Sequence, residues 1–332
     1  MTGVSGFVAQ HCARTLLEAG YRVRGTVRHE RDARQLAERL SVGLDGSRIE
    51  LRRADLTADA GWGRALEGCE GVLHVASPLP SRVPRHEDEL LIPAREGTLR
   101  VLRAAQRAKV RRVVLTSSLA AVVFDGSVGG QAKDESNWSH PALLSPYDKS
   151  KTLAERAAWD YWRELGANAC FELVVLNPGL VLGPVLEARA PASSEVIRRL
   201  LQRRVRACPR VQWAAVDVRD LATAQLLALT NPAAGGQRFC CAAGPIWFSQ
   251  IAALLAEHFA ARGLRVATRT APDIAVRLRA LWDPGARLLV HKLGKSFEVS
   301  TERIRRVLGF APRALAETVI DTAESLIAHG LI

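Results

Sequence analysis

The sequence predicts an α/β protein: a doubly wound parallel sheet carrying a smaller, mostly helical C-terminal lobe. Three observations predict it. Short apolar runs alternate with amphipathic stretches through the first half of the 332 residues, the pattern of βαβ units with a sheet covered on both faces. A glycine-bearing turn, Thr2-Gly3-Val4-Ser5-Gly6, heads the first amphipathic stretch. Beyond Pro178 the alternation fades into helical patterns divided by Gly/Pro stretches such as Asn231-Pro232-Ala233-Ala234-Gly235-Gly236. The expected division is a sheet domain over residues 1–178, to which 212–232 return, and a lobe made of 179–211 and 233–332.

The elements follow in order. Strands are expected at Tyr21–Val27, Ile49–Arg52, Gly71–Val75, Arg112–Leu115 and Glu172–Leu176. Helical patterns lie between them at Gly6–Gly20, Asp32–Leu40, Trp62–Leu66, Glu89–Lys109 and Tyr147–Leu165. The second half offers helices at Ser194–Arg204, Leu221–Thr230 and Phe248–Arg262.

Composition narrows the function classes. The net charge is +12, yet only six of the 46 basic residues are lysine, and the arginines are spread along helix faces. That distribution reads as solvated surface in an arginine-rich chain, and no nucleic-acid motif accompanies it. No nucleic-acid partner is expected. No apolar run reaches eighteen residues and no basic-then-apolar leader opens the chain, so neither a membrane span nor a secretory signal is expected and the cytoplasm is the expected compartment. The six cysteines form no Cys-x-x-Cys pair, which argues against a zinc site or a disulfide framework.

The glycine turn carries the first functional signal. Gly3 and Gly6 allow a tight turn and close approach of backbone to a pyrophosphate, and the helix N-terminus at Phe7 and Val8 offers free N–H groups and a positive dipole end. This is the Rossmann-type signature. The strand that follows ends at Arg28, where an acid would bind the ribose hydroxyls of NAD; a guanidinium suits a 2′-phosphate, so NADP(H) is the expected cofactor. Asp55 and Leu56 end the next strand, where a carboxylate can meet the adenine amino group. Val75, Ala76 and Ser77 end the one after, where small residues let the cofactor lie close. The fold's own first strand should precede the glycine turn, but only Met1 stands before Thr2-Gly3. A missing first strand is therefore expected, because unpaired buried backbone groups cost about 1–3 kcal/mol each; Met1 is read as an internal or misassigned start, with a truncated gene product or another segment filling the gap as alternatives.

The second signal is Tyr147-Asp148-Lys149-Ser150-Lys151. Tyr147 and Lys151 are four apart and share a helix face. With three tyrosines and six lysines in the chain, a chance Tyr-x-x-x-Lys has odds of roughly 0.05, so the spacing is informative. A phenol is a poor acid or base near neutrality, and a nearby ammonium is expected to lower its pKa. Upstream, the strand Arg112–Leu115 runs into Thr116-Ser117-Ser118, which delivers a hydroxyl to the sheet's C-terminal edge. Ser118 is expected to hold a substrate oxygen beside Tyr147.

These stretches, with Ile92-Pro93, Glu96-Gly97-Thr98, Asp134–Trp138 and Asn177–Pro184, resemble in order an extended short-chain dehydrogenase/reductase of the dihydroflavonol-reductase, cinnamoyl-CoA-reductase and aldehyde-reductase group. The resemblance implies a catalytic set of Ser118, Tyr147 and Lys151. It also implies a nicotinamide contact from the Asn177–Val181 turn, chiefly Pro178 and Val181, and a cofactor contact at Ser194. The implied activity is hydride transfer between NADPH and a small-molecule carbonyl, by a monomer or homodimer. Two departures shape the substrate. Leu119-Ala120-Ala121-Val122-Val123 replaces the polar residue that binds flavonoid hydroxyls, and Leu144-Ser145-Pro146 stands where plant cinnamoyl-CoA reductases carry their Asn-Trp-Tyr-type signature. An apolar or aromatic aldehyde or ketone is expected, lined by Leu119–Phe124 and Ile246–Phe248. The alternatives are a sugar-nucleotide epimerase or dehydratase with retained NAD, and a non-catalytic dinucleotide sensor.

Overall fold

The computed structural model describes residues 1–29, 31, 33–78, 86–126, 132–287 and 289–332. The first half runs α1 (Phe7–Glu18), β1 (Val23–Val27), α2 (Ala33–Leu40), β2 (Ile49–Arg53), α3 (Trp62–Leu66), β3 (Gly71–His74), α4 (Asp88–Arg107), β4 (Arg112–Thr116), α5 (Pro146–Leu165) and β5 (Glu172–Pro178). Each agrees with its expected span to within two residues at either end. Asp32, the expected first residue of the second helix, lies outside the described residues. The second half runs β6 (Leu180–Leu182), α6 (Glu195–Leu201), β7 (Gln212–Asp217), α7 (Val218–Thr230), β8 (Arg238–Cys241), β9 (Gly244–Trp247), α8 (Phe248–His258), α9 (Asp273–Arg279), α10 (Pro284–Arg287), α11 (Glu302–Leu308) and α12 (Leu315–Ala328).

The strands β3-β4-β5-β8 form one parallel sheet and β1-β2 a parallel pair. The middle strands are apolar at their centres because both faces are covered. Val114, Val174 and Leu176 join a core with α1, α7 and α11, while Val113, Leu115, Leu173 and Val175 join the opposite core with α3, α4 and α5. The side-chain period of two sends neighbours to opposite faces, and each large apolar side chain so buried contributes about 1.5–3 kcal/mol. Residues 1–4 lie between β1 and β3: Thr2 N donates to Leu73 O (2.9 Å), Thr26 N donates to Met1 O (2.9 Å) and Val4 N donates to Thr26 O (3.0 Å). The ladder bonds thus gather at the C-terminal edge, where the glycine turn begins.

The C-terminal lobe is mostly helical, as expected, but also holds short strands the sequence did not announce. It carries a sheet of order β6-β7-β9, with β7 and β9 antiparallel, packed under α6, α8 and α12. The boundaries differ too. β8, expected in the lobe, hydrogen-bonds to β5 in the main sheet, and β7, expected to return to the main domain, pairs with β6 and β9. These strands are three to six residues long, too short for alternation to register in sequence. Among the described residues no helix is long and apolar enough to cross a membrane.

Candidate active site

The glycine turn forms a cradle. Gly3 has φ +64, and a Cβ there would stand 2.8 Å from the Ala76 Cβ, so backbone approaches backbone with nothing between. Gly6 caps α1 with extended geometry, its N–H donating to Gly3 O at 2.9 Å, and leaves the first-turn N–H groups of Phe7 and Val8 without intrahelical acceptors. Thr2, not singled out from sequence, is the clamp. Its buried hydroxyl contacts His74 Nδ1 (2.9 Å) and accepts from Val75 N (3.1 Å) and Ala76 N (3.0 Å), tying the end of β3 to the turn. A flat, glycine-lined shelf under a helix N-terminus is what a pyrophosphate requires, so these residues fit a dinucleotide.

Arg28 stands exposed one residue past β1. The Asp55 carboxyl is held below the usual carboxylate range by hydrogen bonds from Thr57 N and Oγ1, both 2.8 Å, with Arg28 and His29 adding to the effect. Arg28 and Asp55 therefore share one neighbourhood at the sheet edge. Leu56 packs against Gly97 of α4, where a Cβ would stand 2.8 Å from the Leu56 Cβ. Pro178 ends β5 and Val181 pairs with Val216 of β7, with Gly179 between them. A Cβ on Gly179 would meet Ala214 O at 2.0 Å, so only glycine permits that crossing. Ser194 is buried and its hydroxyl donates to Pro191 O (2.8 Å), which leaves that group occupied within its own turn.

The reacting end follows from register and capping. Pairing of Thr116 with Leu176 brings the strand ends of β4 and β5 level, so Ser117 and Ser118 emerge beside Asn177. Ser118 caps the short turn after β4, its Oγ accepting from Ala120 N at 3.1 Å. Helix α5 starts where it does because Ser145 Oγ accepts from Asp148 N (3.2 Å) and Pro146 occupies the first turn. That start places Tyr147 in the first turn and Lys151 one turn on. Thr152 Oγ1 donates to Asp148 O within α5 (2.9 Å) and lies 3.4 Å from Ala120 O, so α5 packs against the segment after Ser118.

The electrostatics correct one expectation. Tyr147, 39% exposed, is not lowered: partial burial of its ring and the Asp148 carboxylate push it up to about 12. Lys151 donates to Thr116 O (3.2 Å). Burial lowers its own pKa to about 8, with the Glu155 carboxylate pulling it back up. An ammonium held on a backbone carbonyl and partly desolvated does not dominate the phenol.

A buried polar hub backs this edge, and sequence reasoning missed it. Glu155, 1% exposed, lies one turn beyond Lys151. Its Oε2 accepts from Ser117 Oγ (2.5 Å) and Asn177 Nδ2 (2.6 Å), and its Oε1 meets Arg238 Nε at 2.8 Å. Asn177 Nδ2 also donates to Ser118 O (3.0 Å). Arg238, from β8, stacks 3.8 Å from the Trp138 ring centroid and donates to the carbonyls of Glu135 and Asn137. The expected apolar lining divides. Leu119, Val122, Val123 and Phe124 cluster with Phe297 and Val299, whereas Ile246 and Phe248 are spent in the lobe core.

Cradle and edge together place the chain among dinucleotide-dependent oxidoreductases of the short-chain dehydrogenase/reductase class. Residues 1–242 match the profile of the NAD dependent epimerase/dehydratase family, and the chain belongs to that family. It is 37% identical to cinnamoyl-CoA reductase 1 of Arabidopsis thaliana over 337 residues, 99% of this chain and 89% of that protein. It is 33% identical to tetraketide alpha-pyrone reductase 1 of the same plant over 346 residues, 100% of this chain and 96% of that protein. Its structure is similar to yeast methylglyoxal/isovaleraldehyde reductase complexed with NADPH, at TM-score 0.82 and 27% identity, covering 100% of this chain and 98% of that one. The chain is an NADP-dependent oxidoreductase.

Proposed function

We propose that the chain is an NADPH-dependent carbonyl reductase acting on an apolar or aromatic aldehyde or ketone, with Ser118, Tyr147 and Lys151 as its catalytic set. The observation that carries this is the docking of α5 on the end of β4, with Lys151 Nζ 3.2 Å from the carbonyl of Thr116, two residues before Ser118. Bound NADPH supplies the hydride. The chain's own groups do the rest. Ser118 Oγ donates a hydrogen bond to the carbonyl oxygen, and Tyr147 hands that oxygen a proton. A phenol pushed up to about 12 stays protonated at neutral pH, the form that reduction needs. Lys151 would set its positive charge toward the developing phenolate and would meet the nicotinamide ribose. Gly3, Gly6, Phe7 and Val8 would hold the pyrophosphate, Arg28 the 2′-phosphate, and Asp55 with Leu56 the adenine. Val75, Ala76 and Ser77 would line the dinucleotide's path, and Pro178 and Val181 would meet the nicotinamide.

The apolar cluster of Leu119, Phe124 and Phe297 beside Ser118 supports an apolar substrate. So does the yeast neighbour, named for two small carbonyl compounds. The test follows NADPH oxidation over a panel of aldehydes and ketones, with Tyr147→Phe alongside. Wild type should turn over, and Tyr147→Phe should lose about 10²–10⁴-fold in kcat while still binding NADPH. Unimpaired turnover in Tyr147→Phe, or a nucleotide sugar converted faster than any carbonyl, would sink the proposal.

A further inference from the structure

Helix α9 is apolar on two faces. Val276 packs inward with Val211, Ala271 and Leu293, and Ala280 is buried one turn on. That inner stripe fastens the helix to the lobe. The outer stripe is Ile274, Leu278, Leu281 and Trp282, each between 52% and 71% exposed. The helical turns run on past Arg279, since Leu281 N donates to Leu278 O (3.1 Å) and Asp283 N to Arg279 O (2.9 Å). Positions i, i+4, i+7 and i+8 therefore align all four side chains along one side of one short helix. Among the described residues ten large apolar side chains are exposed, and the stretch 274–282 holds four of them. Apolar side chains scattered singly over a surface need no explanation; a contiguous row marks a face that something covers.

Charge says what covers it. Residues 195–210 carry six arginines against Glu195, and residues 273–295 carry three arginines and two lysines against Asp273 and Asp283, so two short stretches hold eight of the chain's twelve net positive charges. The fold brings these stretches together. Arg199, Arg203, Arg204 and Arg206 face Arg279 and Asp283 across one concavity, and Arg210 pairs with Asp273 at the start of α9 (2.8 Å). The carboxylates there are already engaged, Asp283 by Arg279 and Glu195 by Arg198 and Arg199. Arg203, Arg204, Arg206 and Arg277 are exposed. Arginines that are dispersed in the sequence are thus collected beside the apolar row.

An apolar row ending in tryptophan and rimmed by guanidinium groups has the composition of a helix lying in the headgroup layer of an anionic bilayer. Aliphatic side chains enter the acyl boundary, the indole sits at the polar interface, and the cations meet lipid phosphates and carboxylates. A second copy of the chain fits worse, because a two-fold interface would set the same arginines against one another. Among the described residues no helix is long and apolar enough to cross a membrane, so the contact is peripheral. We propose that the α9 face docks on an anionic membrane surface, with Ile274, Leu278, Leu281 and Trp282 inserted and Arg203, Arg204, Arg206 and Arg277 against the headgroups. Docking and reduction are separable, since Ser118, Tyr147 and Lys151 lie outside this face.

The test is co-sedimentation of the NADPH-loaded enzyme with vesicles of equal parts phosphatidylcholine and phosphatidylserine, beside vesicles of phosphatidylcholine alone. Wild type should bind the mixed vesicles about tenfold or more tightly than the neutral ones, and added salt should weaken that binding. Leu278→Ser/Trp282→Ser should lower the partition coefficient about tenfold or more by removing inserted apolar surface. Arg203→Ala/Arg204→Ala should lower it by a similar factor on mixed vesicles and leave binding to neutral ones unchanged. All four side chains are exposed, so both variants should keep their melting temperature and NADPH affinity, which verifies folding. Failure of wild type to sediment with mixed vesicles, equal affinity for both vesicles, or unchanged binding in the folded variants overturns the proposal. Light scattering without vesicles covers the other occupant. A wild-type dimer that becomes monomeric in Leu278→Ser/Trp282→Ser would assign the face to a second copy and overturn membrane docking.

Discussion

At the residue scale, the proposed catalytic set rests on a spacing that chemistry dictates. Tyr147 and Lys151 must share a helix face, and Ser118 must end a strand. The proposed role of Arg28 rests on position in the same way, since the residue just past β1 is placed to decide which ribose substituent is accommodated. Arg28→Asp should lower the NADPH-to-NADH ratio of kcat/KM by about tenfold or more; a wild type that already prefers NADH would refute this role. Glu155 was not readable. A carboxylate four residues after a lysine ordinarily marks a solvated ion pair on a helix face, and nothing local announces Arg238, which arrives from a distant strand. In the fold Glu155 bonds Ser117 and Asn177 and opposes the desolvation of Lys151. Glu155→Gln should therefore lower the melting temperature, since breaking a buried pair costs about 3–5 kcal/mol. It should also move the alkaline limb of the kcat–pH profile to lower pH. A lower melting temperature with an unmoved limb would reduce Glu155 to packing alone.

At the element scale, the parallel strands and their helices followed from alternation because each is buried on both faces or along one stripe. The lobe did not. β8 and β9 are four residues each, β9 contains Pro245, and their partners lie elsewhere in the chain, so local pattern carried no pairing information. The glycine turn joins the two scales, because its sequence signature has a steric cause. Gly3→Ala must strain a backbone at φ +64 and push a Cβ to 2.8 Å from Ala76. We expect a loss of about 1–3 kcal/mol in stability and weaker NADPH binding. Gly63 provides the contrast: it lies inside α3, and a Cβ there would meet nothing within 4 Å. Gly63→Ala should stabilise by about 0.4–1 kcal/mol. Equal effects of the two substitutions on melting temperature would remove the steric account of the turn.

At the scale of the whole molecule, two buried histidines sit where the layers of the fold meet, and they make its stability depend on acidity. His74 ends β3 beneath the glycine turn, 1% exposed, its Nδ1 against Thr2. Burial, with the Lys151 ammonium adding to it, lowers its pKa from 6.5 to about 3. His11 on α1 is 7% exposed and its Nε2 meets Pro184 O at 2.9 Å, joining the sheet domain to the start of the lobe. Burial lowers it to about 4. Both are neutral in the fold and titrate near 6.5 when unfolded, so between pH 6.5 and 4 the unfolded chain binds more protons. Stability then falls as pH falls. At one pH unit per 1.36 kcal/mol, each histidine removes about 2–3 kcal/mol by pH 4.5, against a typical total of about 5–15 kcal/mol. Carboxylates held low by partners, such as Asp55 and Asp217, lose their contribution mainly below that window; the buried Met1 amine, lowered to about 6, adds its loss only near the top of it, so the slope between pH 6 and 4.5 falls chiefly to the histidines. The melting temperature should therefore drop by on the order of ten degrees between pH 7 and pH 4.5. The drop should be smaller in His11→Gln, which replaces the titrating ring with an uncharged amide. A melting temperature constant across that range, or an unchanged slope in His11→Gln, would show that these histidines do not set the acid limit of the fold.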